Sequence, residues 1–122
     1  MTQLSLTRRA LIDIEEIRQY SVAQWGEQVA EKYLDSIEQA LQRLKDNPEL
    51  LREKPDISER FCFYRVREHF LICMHHERLI AVLAVRHGSM DLPARVAELE
   101  PQLLAEAEIL HRAFVKSRRK SR

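Results

Sequence analysis

Few side chains in this sequence are equipped for chemistry, and they are scattered. Arg86 and His87 stand together at the end of an unbroken apolar run, Leu79 to Val85, in the stretch LIAVLAVRHGSMD. A guanidinium can clamp an anion, and an imidazole can move a proton near neutral pH. On the tip of a buried strand such a pair has rigid support below and solvent beside it. That suits a working site and equally suits the plain end of a sheet. His75-His76 offers the residue type for a metal, but adjacent strand residues point to opposite faces and no paired Cys or carboxylate spacing accompanies them. No metal and no cofactor is expected. Cys62 and Cys73 read as buried filler, because a reactive thiol needs an exposed, electropositive setting.

The elements that must position these groups follow from periodicity. Gln3 to Thr7 alternates polar and apolar residues, a short strand signal, and Thr7 is the expected N-cap of a helix. From Ala10 a stripe of Ile14, Ile17 and Ser21, widened by Leu11, Tyr20 and Trp25, marks that helix as far as Gly26. Arg8 and Arg9 in its first turn oppose the helix dipole and read as solvated. A second helix runs to about Asp46 on Ala30, Tyr33, Ile37, Ala40, Leu41 and Leu44, and Asn47-Pro48 ends it. With almost no loop between them, the two helices form an antiparallel hairpin that buries its stripe.

Glu49 to Glu59 reads as a loop. Arg60 to Val66, His69 to His76 and Leu79 to His87 are strand-like runs parted by Arg67-Glu68 and Glu77-Arg78, so they form antiparallel hairpins. Two-residue loops set Cys62 opposite Cys73, Phe63 opposite Ile72, and Ile72 opposite Leu83. One face then carries Phe61, Phe63, Phe70, Ile72, Met74, Leu83 and Val85, and is expected to receive the helix hairpin. The other carries Arg60, Cys62, Tyr64, Leu71, Cys73, His75, Val82, Ala84 and Arg86, a mixed surface that expects a partner. Beyond Pro93, the residues Val96, Leu99, Leu103, Ala107, Leu110 and Phe114 mark an amphipathic helix with a break expected near Pro101. Its stripe meets either the rest of the chain or another chain.

Composition sets outer bounds. The chain has 122 residues, 45% hydrophobic and 32% charged, and a net charge of +1. One domain with a real core fits that length. No apolar segment approaches a membrane span, no secretion signal opens the chain, and the expected compartment is the reducing cytoplasm, where a disulfide between Cys62 and Cys73 is not expected. Balanced charge excludes a general polyanion binder. The exception is Lys116, Arg118, Arg119, Lys120 and Arg122, read as a solvated tail with nucleic-acid contact as the lesser reading.

The order strand, helix hairpin, three antiparallel strands, helix carries a resemblance. Ala10, Asp13, Ile14, Ile17, Tyr20, Trp25-Gly26, Ala30, Tyr33, Leu41, Leu44 and Pro48 form its first half. Arg60 ahead of FCFYRVREHFLICMH, then Val85-x-His87 and Met90-Asp91, form its second. Over roughly residues 3 to 95 the chain resembles the RelE/ParE superfamily of toxins from type II toxin–antitoxin systems, and the WG and H-x-x-M-D features lean to the ParE-like branch. The fold class expected is α+β, β-α-α-β-β-β plus a carboxyl-terminal helix. Residues 1–97 are read as the toxin domain and 98–122 as an amphipathic helix with a basic tail.

The resemblance implies a plasmid-stabilising, growth-inhibiting toxin with a cognate antitoxin protein as partner, as a homodimer or a toxin–antitoxin heterotetramer. ParE-like members bind DNA gyrase without catalysis, whereas RelE-like members cut mRNA on the ribosome. Candidates for the second chemistry are Arg52, Lys54, Arg60, Arg86 and His87, with Arg60 and Arg86 as phosphate clamps and His87 as acid or base. For partner binding the residues singled out are Arg60, Tyr64, His75, Arg86 and Arg95.

Overall fold

The computed structural model describes residues 2–89 and 91–120, with side chains through 117 at the carboxyl end. Met90 of the H-x-x-M-D feature and the side chains of Arg118, Arg119, Lys120 and Arg122 lie outside the described residues. Among those described, the elements run β1 (Gln3–Leu6), α1 (Arg8–Trp25), α2 (Glu27–Asp46), a 3-10 turn (Pro48–Leu50), β2 (Arg52–Lys54), β3 (Ser58–Val66), β4 (His69–His76), β5 (Leu79–His87) and α3 (Leu92–Lys120). The sheet order is β1-β5-β4-β3-β2, with β1 parallel to β5 and every other pair antiparallel. This is the α+β arrangement expected.

Local signals explain the helix boundaries. The Thr7 hydroxyl accepts the Ala10 N–H at 3.1 Å, which satisfies one of the free donors at the start of α1. Gly26 joins the two helices at φ 88°, a conformation that a side chain would strain, and its N–H still closes the last turn of α1 on the Val22 carbonyl. The segment expected to be loop after Pro48 instead turns once and adds β2 to the edge of β3, with an irregularity between Glu53 and Lys54. Three residues, Arg-Glu-Lys, carry no alternation by which such an edge strand could be read.

The largest correction concerns the faces of the sheet. The pairing of β3 with β4 is as expected, Cys62 on Cys73 and Phe63 on Ile72. Between β4 and β5 the register slips between Ile72 and Cys73, so Ile72 faces Ala84 rather than Leu83. An extra residue reverses the parity of everything after it. Val85 therefore joins Val66, Leu71, Cys73, Ile80 and Val82 on one face, where Ala10, Ile17, Ile37, Ala40 and Leu44 of the helix hairpin pack. Phe61, Phe63, Ile72, Ala81, Leu83 and Ala84 lie on the other, under Val96, Leu103 and Ala107 of α3. The hairpin thus covers the face expected to stay open, and α3 covers the face assigned to the hairpin. The apolar run of β5 is buried on both sides because it is the middle of three layers.

α3 is unbroken through Pro101. An interior proline costs a helix about 3 kcal/mol. Burial of Leu103, Ala107 and Phe114 beyond it offsets that loss, so the stripe of this helix is spent on its own sheet. Leu103→Ala should lower the free energy of unfolding by about 2–5 kcal/mol in urea titrations followed by circular dichroism. A loss near zero would mean that α3 is an appendage rather than a layer of the core.

Candidate functional site

β1 pairs with β5 only as far as Val82, which leaves the end of β5 with a free edge. Residues of the amino-terminal segment take up its hydrogen-bonding groups. The Thr7 N–H donates to the Val82 carbonyl at 3.0 Å, and the Thr7 hydroxyl donates to the Leu83 carbonyl at 2.8 Å. One turn into α1, Asp13 accepts the Val85 N–H at 2.9 Å. Its other oxygen lies 3.7 Å from the Arg86 guanidinium and 3.9 Å from that of Arg9. Asp13 is 2% exposed, and burial pushes its carboxyl above the ordinary value against the pull of the Val85 N–H and the two guanidinium groups. Glu106 of α3 accepts the Arg9 backbone N–H at 3.3 Å, placing a carboxylate at the positive end of α1.

Beside this edge, between α1, α2 and the ends of β4 and β5, opens a cleft of about 780 Å³. Its floor holds a chain of polar rings. The Tyr33 hydroxyl accepts the Glu68 N–H and shares a hydrogen bond with His69 Nδ1, 2.5 Å away. The rings of His69 and His87 meet edge to face at 5.0 Å, and His87 Nδ1 accepts the Ser89 N–H at 3.0 Å. Burial, then the neighbouring His87, lowers the pKa of His69 to about 4, with Glu68 opposing. Burial likewise raises that of Tyr33, which keeps its proton. At the rim, Tyr20 and Trp25 pack edge to face at 5.8 Å and are 60% and 57% exposed. They and Leu11 were expected in the core stripe of α1; the sheet reaches only the Ala10, Asp13, Ile17 and Ser21 side of that helix.

The residues singled out from sequence do not gather in one place. Arg86 and His87 both line the cleft. After the register slip Arg86 lies opposite Phe70 and reaches Asp13 around the strand edge, while His87 turns to the hairpin side opposite His69. Arg60 is on the α3 side, 3.4 Å from Glu100. Tyr64 is held under α2 by the Arg43 guanidinium at 3.0 Å. Arg95 pairs with Glu98 in the first turns of α3, and His75 is exposed near the end of β4. Arg52 and Lys54 belong to the far edge strand β2. Both thiols are free, and burial raises their pKa values, that of Cys73 most. Asp13, Tyr33 and His69 are the groups that reasoning from sequence left without a role. The signal for Asp13 was a carboxylate at a stripe position, between Ala10 and Ile17.

A sheet covered by a helix hairpin, with a cleft where β5 meets that hairpin, is the architecture expected of a small toxin of the RelE/ParE kind. Residues 4–92 match the family model described as the ParE toxin of the type II toxin–antitoxin system parDE, and the chain belongs to that family. It is 27% identical over 99 residues to the Escherichia coli protein named Toxin ParE, covering 80% of this chain and 96% of that one. Its fold is similar to a chain of the chromosomal ParDE system from P. aeruginosa, with a TM-score of 0.64, 18% identity, and coverage of 71% of this chain and 96% of that one.

Two outcomes follow from this geometry. Asp13→Ala should cost about 3–5 kcal/mol, because it strands Arg86 and the Val85 N–H at a buried edge; thermal and urea melts check it. His69 is neutral in the fold and binds a proton more readily when unfolded, so its contribution is complete above pH 6.5 and is lost as pH falls towards 4. Stability measured across that window should fall less steeply in His69→Asn, which can still hydrogen-bond Tyr33 and cannot titrate. An unchanged slope would rule out His69 as its source.

Proposed function

We propose that this chain is a cytoplasmic toxin that inhibits DNA gyrase by binding it, and that a cognate antitoxin neutralises it. Membership of the ParE family supports the reading. The observation that carries it is the separation of Arg60 from Arg86. One guanidinium is engaged by Glu100 beside α3, and the other is drawn to Asp13 at the opposite limit of the sheet's core. Stabilising a cleaving phosphate calls for cations that converge on it. What the cleft presents outward is aromatic instead, Tyr20 and Trp25 at a rim open to solvent, the residue types that anchor protein interfaces. Exposed Arg60, His75 and Arg95 are the further candidates for contact with the antitoxin.

Purified toxin should inhibit supercoiling by gyrase. The double variant Tyr20→Ala, Trp25→Ala should weaken that inhibition at least about tenfold, as loss of an aromatic anchor does. No inhibition by excess folded protein would overturn the proposal.

A second reading, a ribosome-dependent mRNA endoribonuclease, draws on the convergence of Arg86, His87, His69 and Tyr33 in one cleft. It requires codon-positioned cuts in translated mRNA that disappear in His87→Ala. Intact mRNA in translating complexes removes it.

A further inference from the structure

Across much of this chain arginines face carboxylates: Arg18 faces Glu15, Arg60 faces Glu100, Arg86 faces Asp13 and Arg112 faces Glu108. Three exposed arginines on α2, β3 and the β3–β4 turn do not. Among the described residues Arg43, Arg65 and Arg67 have no ion-pair partner, yet each is held in place by a neutral acceptor. Arg43 donates to the Tyr64 hydroxyl at 3.0 Å, Arg67 Nε to the Ser36 hydroxyl at 2.7 Å, and Arg65 Nε to the Arg67 carbonyl at 2.8 Å. The Arg67 guanidinium also lies over the Tyr33 ring at 5.7 Å, and that of Arg65 over Phe70 at 5.5 Å. Arg67 adopts φ 53°, a conformation that glycine or asparagine would take with less strain.

We propose that these three side chains form a ridge that contacts the phosphate backbone of duplex DNA without reading its sequence. A guanidinium fixed through one nitrogen keeps its remaining N–H groups for an anion, and phosphate matches the geometry of that fork. Ser36, which holds Arg67, and Arg43 are seven residues apart on α2, so the ridge extends about 10 Å. That length suits a polymer of regularly spaced charges and exceeds what a single small anion can touch. Protein interfaces centre on apolar surface instead. The exposed large apolar side chains, Leu11, Ile12, Tyr20, Trp25, Val29 and Ile109, lie on α1, on α3 or in the first turn of α2, away from the ridge. Glu68, the carboxylate of the same turn, lines the cleft. A net charge of +1 is compatible with so local a patch, which gives weak and salt-sensitive contact. The choice of DNA rests on the gyrase reading above, because an inhibitor of that enzyme works beside the duplex it holds.

The test is fluorescence anisotropy of a labelled duplex of about 20 base pairs, titrated with the full chain at salt from about 20 to 200 mM. The logarithm of the association constant should fall against the logarithm of salt concentration with a slope of about −2.7, the sum of about −0.9 for each phosphate met. Arg43→Gln, Arg65→Gln and Arg67→Asn should each flatten that slope by about 0.9, and the triple variant should abolish it. All three side chains are exposed and asparagine tolerates the backbone of Arg67, so the fold, checked by circular dichroism, should be kept. Absence of binding at the lowest salt would overturn the ridge, as would a slope that the triple variant leaves unchanged. Displacement of the duplex by polyglutamate as readily as by unlabelled duplex of equal charge would also overturn it, in favour of an acidic protein partner. No gyrase is present in this assay. Loss of DNA binding beside intact inhibition of supercoiling would strike the ridge alone, and the reverse result would strike the gyrase reading alone.

Discussion

An interior strand must satisfy its backbone groups on both sides, and β5 loses a neighbour partway along when β1 stops at Val82. Everything at the functional end of the molecule depends on how that deficit is met. Thr7 supplies a backbone donor and a hydroxyl, and Asp13 supplies an acceptor, so the first helix takes over where the first strand ends. The same contacts fix the distance of α1 from the sheet and so the width of the cleft. They also draw Arg86 from solvent towards the buried Asp13 carboxylate.

The family match stops at residue 92, where α3 begins. Beyond that point the helix adds a third layer, and Glu106 on it meets the first turn of α1. The helix, the hairpin and the β5 edge are therefore one connected structure. Four buried polar atoms in this region, Arg9 Nε, Asp13 Oδ1, Arg86 Nε and Glu106 Oε2, have no protein partner at hydrogen-bond distance.

Much of this was legible in the residues, and the failures have physical causes. Thr7, Gly26 and Pro48 act through local backbone chemistry, so the helix boundaries read directly. Two-residue loops set the pairing of Cys62 with Cys73 by counting alone. The slip between Ile72 and Cys73 has no glycine or proline to announce it, and Leu79 to Val85 is apolar on both faces, so alternation cannot reveal the slip. That one irregularity put Arg86 and His87 on the wrong sides. It also hid the meeting of His69, from β4, with His87 and with Tyr33, from α2. Tyr20 and Trp25 failed for another reason: an aromatic at helical spacing looks alike whether it enters a core or waits at a rim.

The pairing of the first strand with the last has a consequence in time. Gln3 pairs with Leu79 and Thr7 bonds to Val82, so the amino-terminal segment has no partner in the sheet until the final strand has been made. On the ribosome, the helix hairpin emerges long before the surface it covers. The cleft, built from both, closes only when nearly the whole domain has left the exit tunnel. A chain organised in this way completes its cleft late in its own synthesis.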